Sequence, residues 1–171
     1  TECHAIIDAM LRFELTGIPT NLAIIGSRGS GKTLSVKYLQ RIVQAQTGLR
    51  MLYANCRTHN TSFKLLAHMV GAQPRGASLT ELYERFRNAH GDKTVVVLDE
   101  VDLMSPKDRR REILYLLSRS EPSYMLVMLS NNPHVMKELD AATRSSLQPE
   151  LLHFRNYDAR QIDNILRDRA R

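Results

Sequence analysis

Apolar residues recur along this chain in two rhythms. One is the helical spacing of three and four residues. The other is a short unbroken run, the mark of a strand buried on both faces. Residues 3–15 place Ile6, Ile7, Met10, Leu11 and Leu15 at helical spacing, and Thr16-Gly17-Ile18-Pro19-Thr20-Asn21 reads as a turn. Residues 22–25 are wholly apolar and predict a first strand; helical spacing then continues to about residue 46, with Gly48 as a stop. Residues 50–55 predict a second strand. Residues 61–70 and 78–90 predict two helices around a turn rich in Gly and Pro, and Ser78 and Glu81 have capping-box spacing. A third strand is expected at 94–99, a helix at 107–118, a fourth strand at 124–129, a short fifth at 151–154 and a last helix at 158–170.

Strands that alternate with helices imply right-handed crossovers, and hence an α/β fold with a parallel sheet and helices on both faces. The two helices between the second and third strands exceed what a crossover needs, which marks residues 56–92 as an insertion.

The turn after the first strand carries the chemistry. Gly26-Ser27-Arg28-Gly29-Ser30-Gly31-Lys32-Thr33 matches G-x-x-x-x-G-K-[ST], the phosphate-binding loop. On a strand-to-helix turn its backbone N–H groups can wrap a polyphosphate, with the helix N-terminus aimed at the same charge. The glycines allow a backbone that a side chain would obstruct. Lys32 is placed to reach the β- and γ-phosphates and Thr33 to ligate Mg²⁺, while Arg28 occupies a variable position facing solvent. The third strand ends in Asp99-Glu100. Ligands of open parallel sheets sit at the carboxyl ends of the strands, so these acids emerge beside the loop. Asp99 is expected to support Mg²⁺ and Glu100 to polarise an attacking water. The fourth strand ends in Ser130-Asn131-Asn132, which offers an amide to the γ-phosphate.

Composition narrows the partners. A net charge of +6 on 171 residues suits a polyanion, but aromatics are 6% of the chain and Trp is absent, which disfavours a base-stacking surface. No apolar run approaches a membrane span. Two cysteines, Cys3 and Cys56, suggest no disulfide framework and a reducing intracellular setting. Cys56 and His59 form a lone C-x-x-H pair, read as an ordinary loop pair rather than a zinc site. The methionines, Met125 and Met128 among them, fall mostly on apolar positions and read as core. The run Lys107-Asp108-Arg109-Arg110-Arg111 is read as a solvated helix face, with a nucleic-acid channel as the rival.

Together these motifs resemble the AAA+ ATPases, with Asn131 in the position called sensor 1. Tyr53-Ala54-Asn55-Cys56-Arg57, Glu81–Phe86, Leu98-Asp99-Glu100-Val101-Asp102, Ser145-Ser146-Leu147-Gln148-Pro149-Glu150 and Tyr157-Asp158-Ala159 are similar to the origin recognition complex and Cdc-type replication-initiator branch. The resemblance runs from about Pro19 to the C-terminus. It implies a three-layer P-loop NTPase core with a five-stranded parallel sheet, at residues 19–156, between an N-terminal helix (1–18) and the start of a helical lid (157–171). It implies ATP or ADP with Mg²⁺ at Gly26–Thr33 and Asp99, and slow hydrolysis served by Glu100 and Asn131. The implied partners are double-stranded DNA, other AAA+ subunits and a replicative helicase. The implied location is the nucleus or, in a prokaryote, the cytoplasm or nucleoid. A DNA-touching helix is implied near Thr58–Val70, with Arg57, His59, Lys64 and His68. The arginine finger expected before Ser-Ser-Leu falls on Ala142, with Arg144 two residues later as a substitute. The rest of the lid and a winged-helix domain are not found in these residues, so the chain reads as the core of a larger protein. Two alternatives stay open: a nucleotide-bound, non-catalytic scaffold in a DNA or chromatin assembly, and another P-loop ATPase such as a transposition helper.

Overall fold

Three of the strands are buried along their whole length, and that places them inside a sheet covered on both sides. They are β1 (Leu22–Ile25), β3 (Thr94–Asp99) and β4 (Met125–Ser130). The computed structural model describes residues 2–73, 75–108 and 111–155, together with 160, 164, 167 and 168. With β2 (Arg50–Asn55) and β5 (Glu150–His153) the strands form one five-stranded sheet in the order β2-β3-β4-β1-β5. Every pairing is parallel.

Side chains of neighbouring residues leave a strand on opposite faces, and the apolar runs supply both. Val95, Val97, Met125 and Val127 pack with α1 (Glu2–Thr16) and α2 (Lys32–Gln46), through Ile6, Met10, Phe13, Val36 and Leu39. Val96, Leu98, Leu126 and Met128 face the other way, against α3 (Ser62–Met69), α4 (Leu79–Ala89) and α5 (Glu112–Ser118). The result is the helix–sheet–helix sandwich expected from the alternation of elements. The chain leaves β1 for the far edge at β2 and returns through β3 and β4. That reversal opens a crevice at the carboxyl ends of the strands.

The element borders follow the sequence expectations within a residue or two, apart from three places. The helix expected at 107–118 starts only at Glu112. The Asp108 carboxylate accepts from both the N–H and the hydroxyl of Ser62 at 2.6 Å, and Arg111 is left-handed at φ 43°. A helix cannot propagate through that φ. A seven-residue helix, α6 (Ala141–Leu147), was not anticipated; two turns are too few to show a period. Of the expected helix at 158–170, all but residues 160, 164, 167 and 168 lie outside the described residues. The capping box is present: Ser78 Oγ accepts from the Glu81 N–H and Glu81 accepts from the Ser78 N–H.

Asn21, expected only as part of a turn, joins three elements. Its amide donates to the Leu147 carbonyl and its oxygen accepts from the Leu126 N–H, each at 2.9 Å and buried. This ties the entry to β1 to both β4 and α6. Asn21→Ala strands a buried donor and a buried acceptor, at about 1–3 kcal/mol for such groups. We expect a loss of about 2–3 kcal/mol in urea unfolding; an unchanged midpoint would show that water or other groups replace both bonds.

Candidate nucleotide site

The loop between β1 and α2 is shaped by its glycines. A Cβ on Gly26 would lie 2.9 Å from the Phe154 carbonyl oxygen and 3.0 Å from Ser30 Oγ. Gly31, the residue before α2, has φ +86°, a conformation that costs an L-residue about 1–2 kcal/mol. No side chain caps α2, so the N–H groups of its first turn point out of the helix end without intrahelical acceptors. Arg28 is exposed, as expected.

Lys32 is 7% exposed. Its ammonium donates to the carbonyls of Gly26 (2.6 Å) and Ser27 (2.9 Å) and to Asn131 Oδ1 (2.8 Å), with Ser30 Oγ at 3.2 Å. Three protons serve these four oxygens. Burial pulls the Lys32 pKa below the ordinary lysine value, and the carboxylates of Asp99, Asp102 and Glu100 counter the shift. The contact with Asn131 joins the loop after β1 to the end of β4, the neighbouring strand.

Asp99 is the meeting point of the site. It is 2% exposed. Oδ2 accepts from the Thr33 hydroxyl at 2.7 Å and from the Tyr53 phenol at 2.6 Å, and Oδ1 accepts from the Glu100 N–H at 2.8 Å. The Thr33 proton is thereby committed, and the lone pairs of that hydroxyl remain for a cation. A buried carboxylate beside a hydroxyl oxygen is a hard donor set that suits Mg²⁺, whose other positions are taken by phosphate and water. Glu100 follows at φ 54°, in the left-handed region, and this turns its side chain away from that of Asp99. Arg57 takes it in a two-point pair, with nitrogens 3.1 and 3.3 Å from the carboxylate oxygens. The Arg57 hydrogen bonds hold Glu100 below the usual glutamate pKa, with burial opposing.

The cleft bounded by the loop, Tyr53, Asn55, Asp99, Glu100 and Asn131 has a volume of about 460 Å³, a normal size for a small-molecule site. Every residue singled out from the sequence for phosphate, metal or water chemistry lies in or beside it. Three more members emerge from the geometry. Tyr53 holds Asp99. Asp102 accepts from Ser130 Oγ at 2.9 Å and the Asn131 N–H at 3.4 Å, fixing the end of β4. Arg57, which the resemblance places beside the DNA-touching helix, pairs with Glu100. All three stand in segments that carry the family resemblance, but no local pattern in the sequence gave them these contacts.

The other candidates lie elsewhere. Cys56 is fully buried, and burial pushes its thiol up to about 12. His59 and His68 stack with ring centroids 4.1 Å apart, and Lys64 donates to Asn60 at 3.3 Å. In the basic run, Asp108 is bound by Ser62 and Arg111 pairs with Glu138 at 3.4 Å; Arg109 and Arg110 are outside the described residues. Lys107 and Asp108 precede the helix rather than lying on it, so the described start of the run is not the helix face expected from its charge. Ala142 and Arg144 are both exposed on α6.

A phosphate-binding loop, an acidic strand end and a strand order of β2-β3-β4-β1-β5 define a P-loop NTPase. The sequence profile of the AAA domain family matches residues 19–135. The chain belongs to that family, and its core is of the ORC/Cdc6 type. ORC1-type DNA replication protein 1 of Archaeoglobus fulgidus is 32% identical over 184 aligned positions, covering 97% of this chain and 44% of the relative. The ORC1-type DNA replication protein of Cenarchaeum symbiosum is 31% identical over 175 positions, covering 89% and 43%. Among solved structures, the Aeropyrum pernix ORC1 protein in complex with DNA superposes with a TM-score of 0.77 at 27% identity, over 99% of this chain and 48% of that one. Cdc6p from Pyrobaculum aerophilum, at 21% identity and a TM-score of 0.74 over 99% and 48%, shares the fold. The chain thus spans less than half the length of the relatives it matches.

Because Arg57 favours the charged form of Glu100, removing it has a definite sign. In Arg57→Ala the Glu100 pKa should rise toward the ordinary glutamate value. Carboxyl-carbon NMR titration reads this directly, and an unmoved titration would show that the ion pair does not persist in solution.

Proposed function

We propose that this chain is the ATPase core of a replication initiator, a nucleotide switch that binds ATP with Mg²⁺ and hydrolyses it slowly. The observation that carries the reading is the convergence of Lys32, Thr33, Asp99, Glu100 and Asn131 at the carboxyl ends of three neighbouring strands, β1, β4 and β3. The AAA+ family implies nucleotide and Mg²⁺ in general terms, and the ORC1-type relatives support replication initiation.

Residues 26–33 would cradle the phosphates through backbone N–H groups, and Lys32 would place its charge on the β- and γ-oxygens. Thr33 and Asp99 would hold Mg²⁺, which when bound neutralises charge on the phosphates. Glu100 would accept a proton from water attacking the γ-phosphorus, giving ADP and inorganic phosphate. Asn131, already bonded to Lys32, would report whether the γ-phosphate is present. Arg57 makes Glu100 a weaker base, which supports slow turnover. A switch acts through the different affinities of its two nucleotide states for a partner. Here that partner would be duplex DNA, other AAA+ subunits or a replicative helicase, and the setting intracellular. The helical lid and a DNA-binding domain would complete the unit from elsewhere in the protein. Among the described residues no helix is long and apolar enough to cross a membrane.

A second reading, a nucleotide-bound scaffold with weak or no hydrolysis, is favoured by one feature. Ala142 stands exposed on α6 where the family resemblance calls for an arginine finger.

Lys32→Ala removes charge-assisted hydrogen bonds worth about 1.5–3 kcal/mol, so ATP binding should weaken about 10- to 100-fold. Calorimetry with ATP checks this, and native-like affinity would refute the phosphate role. Glu100→Gln should keep ATP affinity and lower turnover by about 10²- to 10⁴-fold if Glu100 is the general base. Equal turnover of native and variant would favour the scaffold. Duplex DNA affinity, measured with and without ATP, separates the switch from the scaffold: DNA binding that ignores nucleotide and Lys32→Ala alike would remove the switch.

A further inference from the structure

Tyr53 occupies a position that neither the phosphate-loop motif nor the acidic strand end assigns. It lies on β2 opposite Val97 of β3, and Asn55 lies opposite Asp99. The period of two then puts Tyr53, Val97 and Asp99 on the face turned toward α2. The ring packs against the cluster formed by α1 and α2. Lys37 of α2 sits over it, its ammonium 4.8 Å from the centroid. Gln40, one turn of α2 further on, donates to the Met51 carbonyl of β2 at 3.0 Å, which anchors the helix to this strand. The phenol is therefore held from both sides, and its O–H points along the sheet to Asp99 Oδ2. Burial, with the Asp99 hydrogen bond next, pushes its pKa well above the ordinary tyrosine value, so it stays a donor.

The χ2 torsion of an aspartate is broad and roughly two-fold. The Glu100 N–H pins Oδ1, and Thr33 pins Oδ2 through a hydroxyl that would itself contact Mg²⁺. Of the three donors, only Tyr53 restrains Oδ2 without a task of its own in phosphate or metal binding. We propose that Tyr53 is a positioning residue. It holds the Asp99 carboxylate plane for Mg²⁺, and so sets the Mg²⁺ concentration at which the site takes up metal–nucleotide. The inference rests on the nucleotide reading given above.

Tyr53→Phe keeps the ring, its packing and the Lys37 contact, and removes only the O–H. Binding of a fluorescent N-methylanthraniloyl ATP to the native chain and to Tyr53→Phe is measured in EDTA and then along an Mg²⁺ titration. Loss of a hydrogen bond that orients a metal-binding group raises the metal requirement; the Mg²⁺ midpoint should increase roughly three- to tenfold. Affinity in EDTA, which depends on the phosphate loop, should not change. Coincident Mg²⁺ curves would overturn the proposal and leave nucleotide binding standing. Equal weakening with and without metal would also overturn it, since Tyr53 would then serve the fold alone. No binding by the native chain under either condition would remove the nucleotide reading and this inference together.

Discussion

A carboxylate that is 2% exposed must be satisfied by donors, or its desolvation would destabilise the fold. Asp99 meets that demand with a hydroxyl from α2, a phenol from β2 and the N–H of the next residue. The site depends on this arrangement. It draws the start of α2 toward the end of β3 although β4 lies between β1 and β3. With α2 held there, the loop that precedes it is closed, and Lys32 can reach both the loop carbonyls and Asn131. An apolar side chain in place of Asp99 would lose the three bonds at once, and with them the alignment of Thr33.

Charge is distributed to match. Lys32 carries the buried positive charge, with Asp99, Asp102 and Glu100 as the negative charges that offset its desolvation. Glu100 is turned outward by a left-handed backbone and given to Arg57, whose side chain is 56% exposed. Arg57 is the one basic group in the 57–68 segment that touches the acidic strand end. It is thus a physical link between the cleft and the face formed by His59, Lys64 and His68. A polyanion on that face would compete with Glu100 for the same guanidinium.

The likeness to ORC1-type proteins covers nearly all of this chain but less than half of each relative. What folds here is a unit with two separate apolar layers on one sheet, and each layer is continuous through β3 and β4. On α6, Thr143 and Leu147 are buried while Ala142 and Arg144 are exposed.

The strand runs, the glycine-lysine loop and the Asp-Glu strand end were legible in the sequence because their signals are local. A buried parallel strand must be apolar along its length, and a phosphate loop needs glycine at fixed offsets. The same local rules marked residues 26–33, Asp99, Glu100 and Asn131, and the geometry gathers all of them at one end of the sheet. They did not mark Tyr53 or Asp102, whose roles come from strand register and from neighbours far away in the sequence. Nor did they foresee Asn21 bridging β4 and α6, or Arg57 leaving the basic segment for Glu100. At 107–111 charge alone suggested a solvated helix. The helix begins only at Glu112, after Ser62, 46 positions away, has bound Asp108 and the backbone of Arg111 has turned left-handed. The sequence by itself determined which segments are strands and which residues gather at their carboxyl ends, since periodicity and backbone freedom act over a few residues. Only the tertiary structure decided which donors meet on Asp99 and which cation holds Glu100, because those choices depend on strand order and on burial that no local pattern encodes.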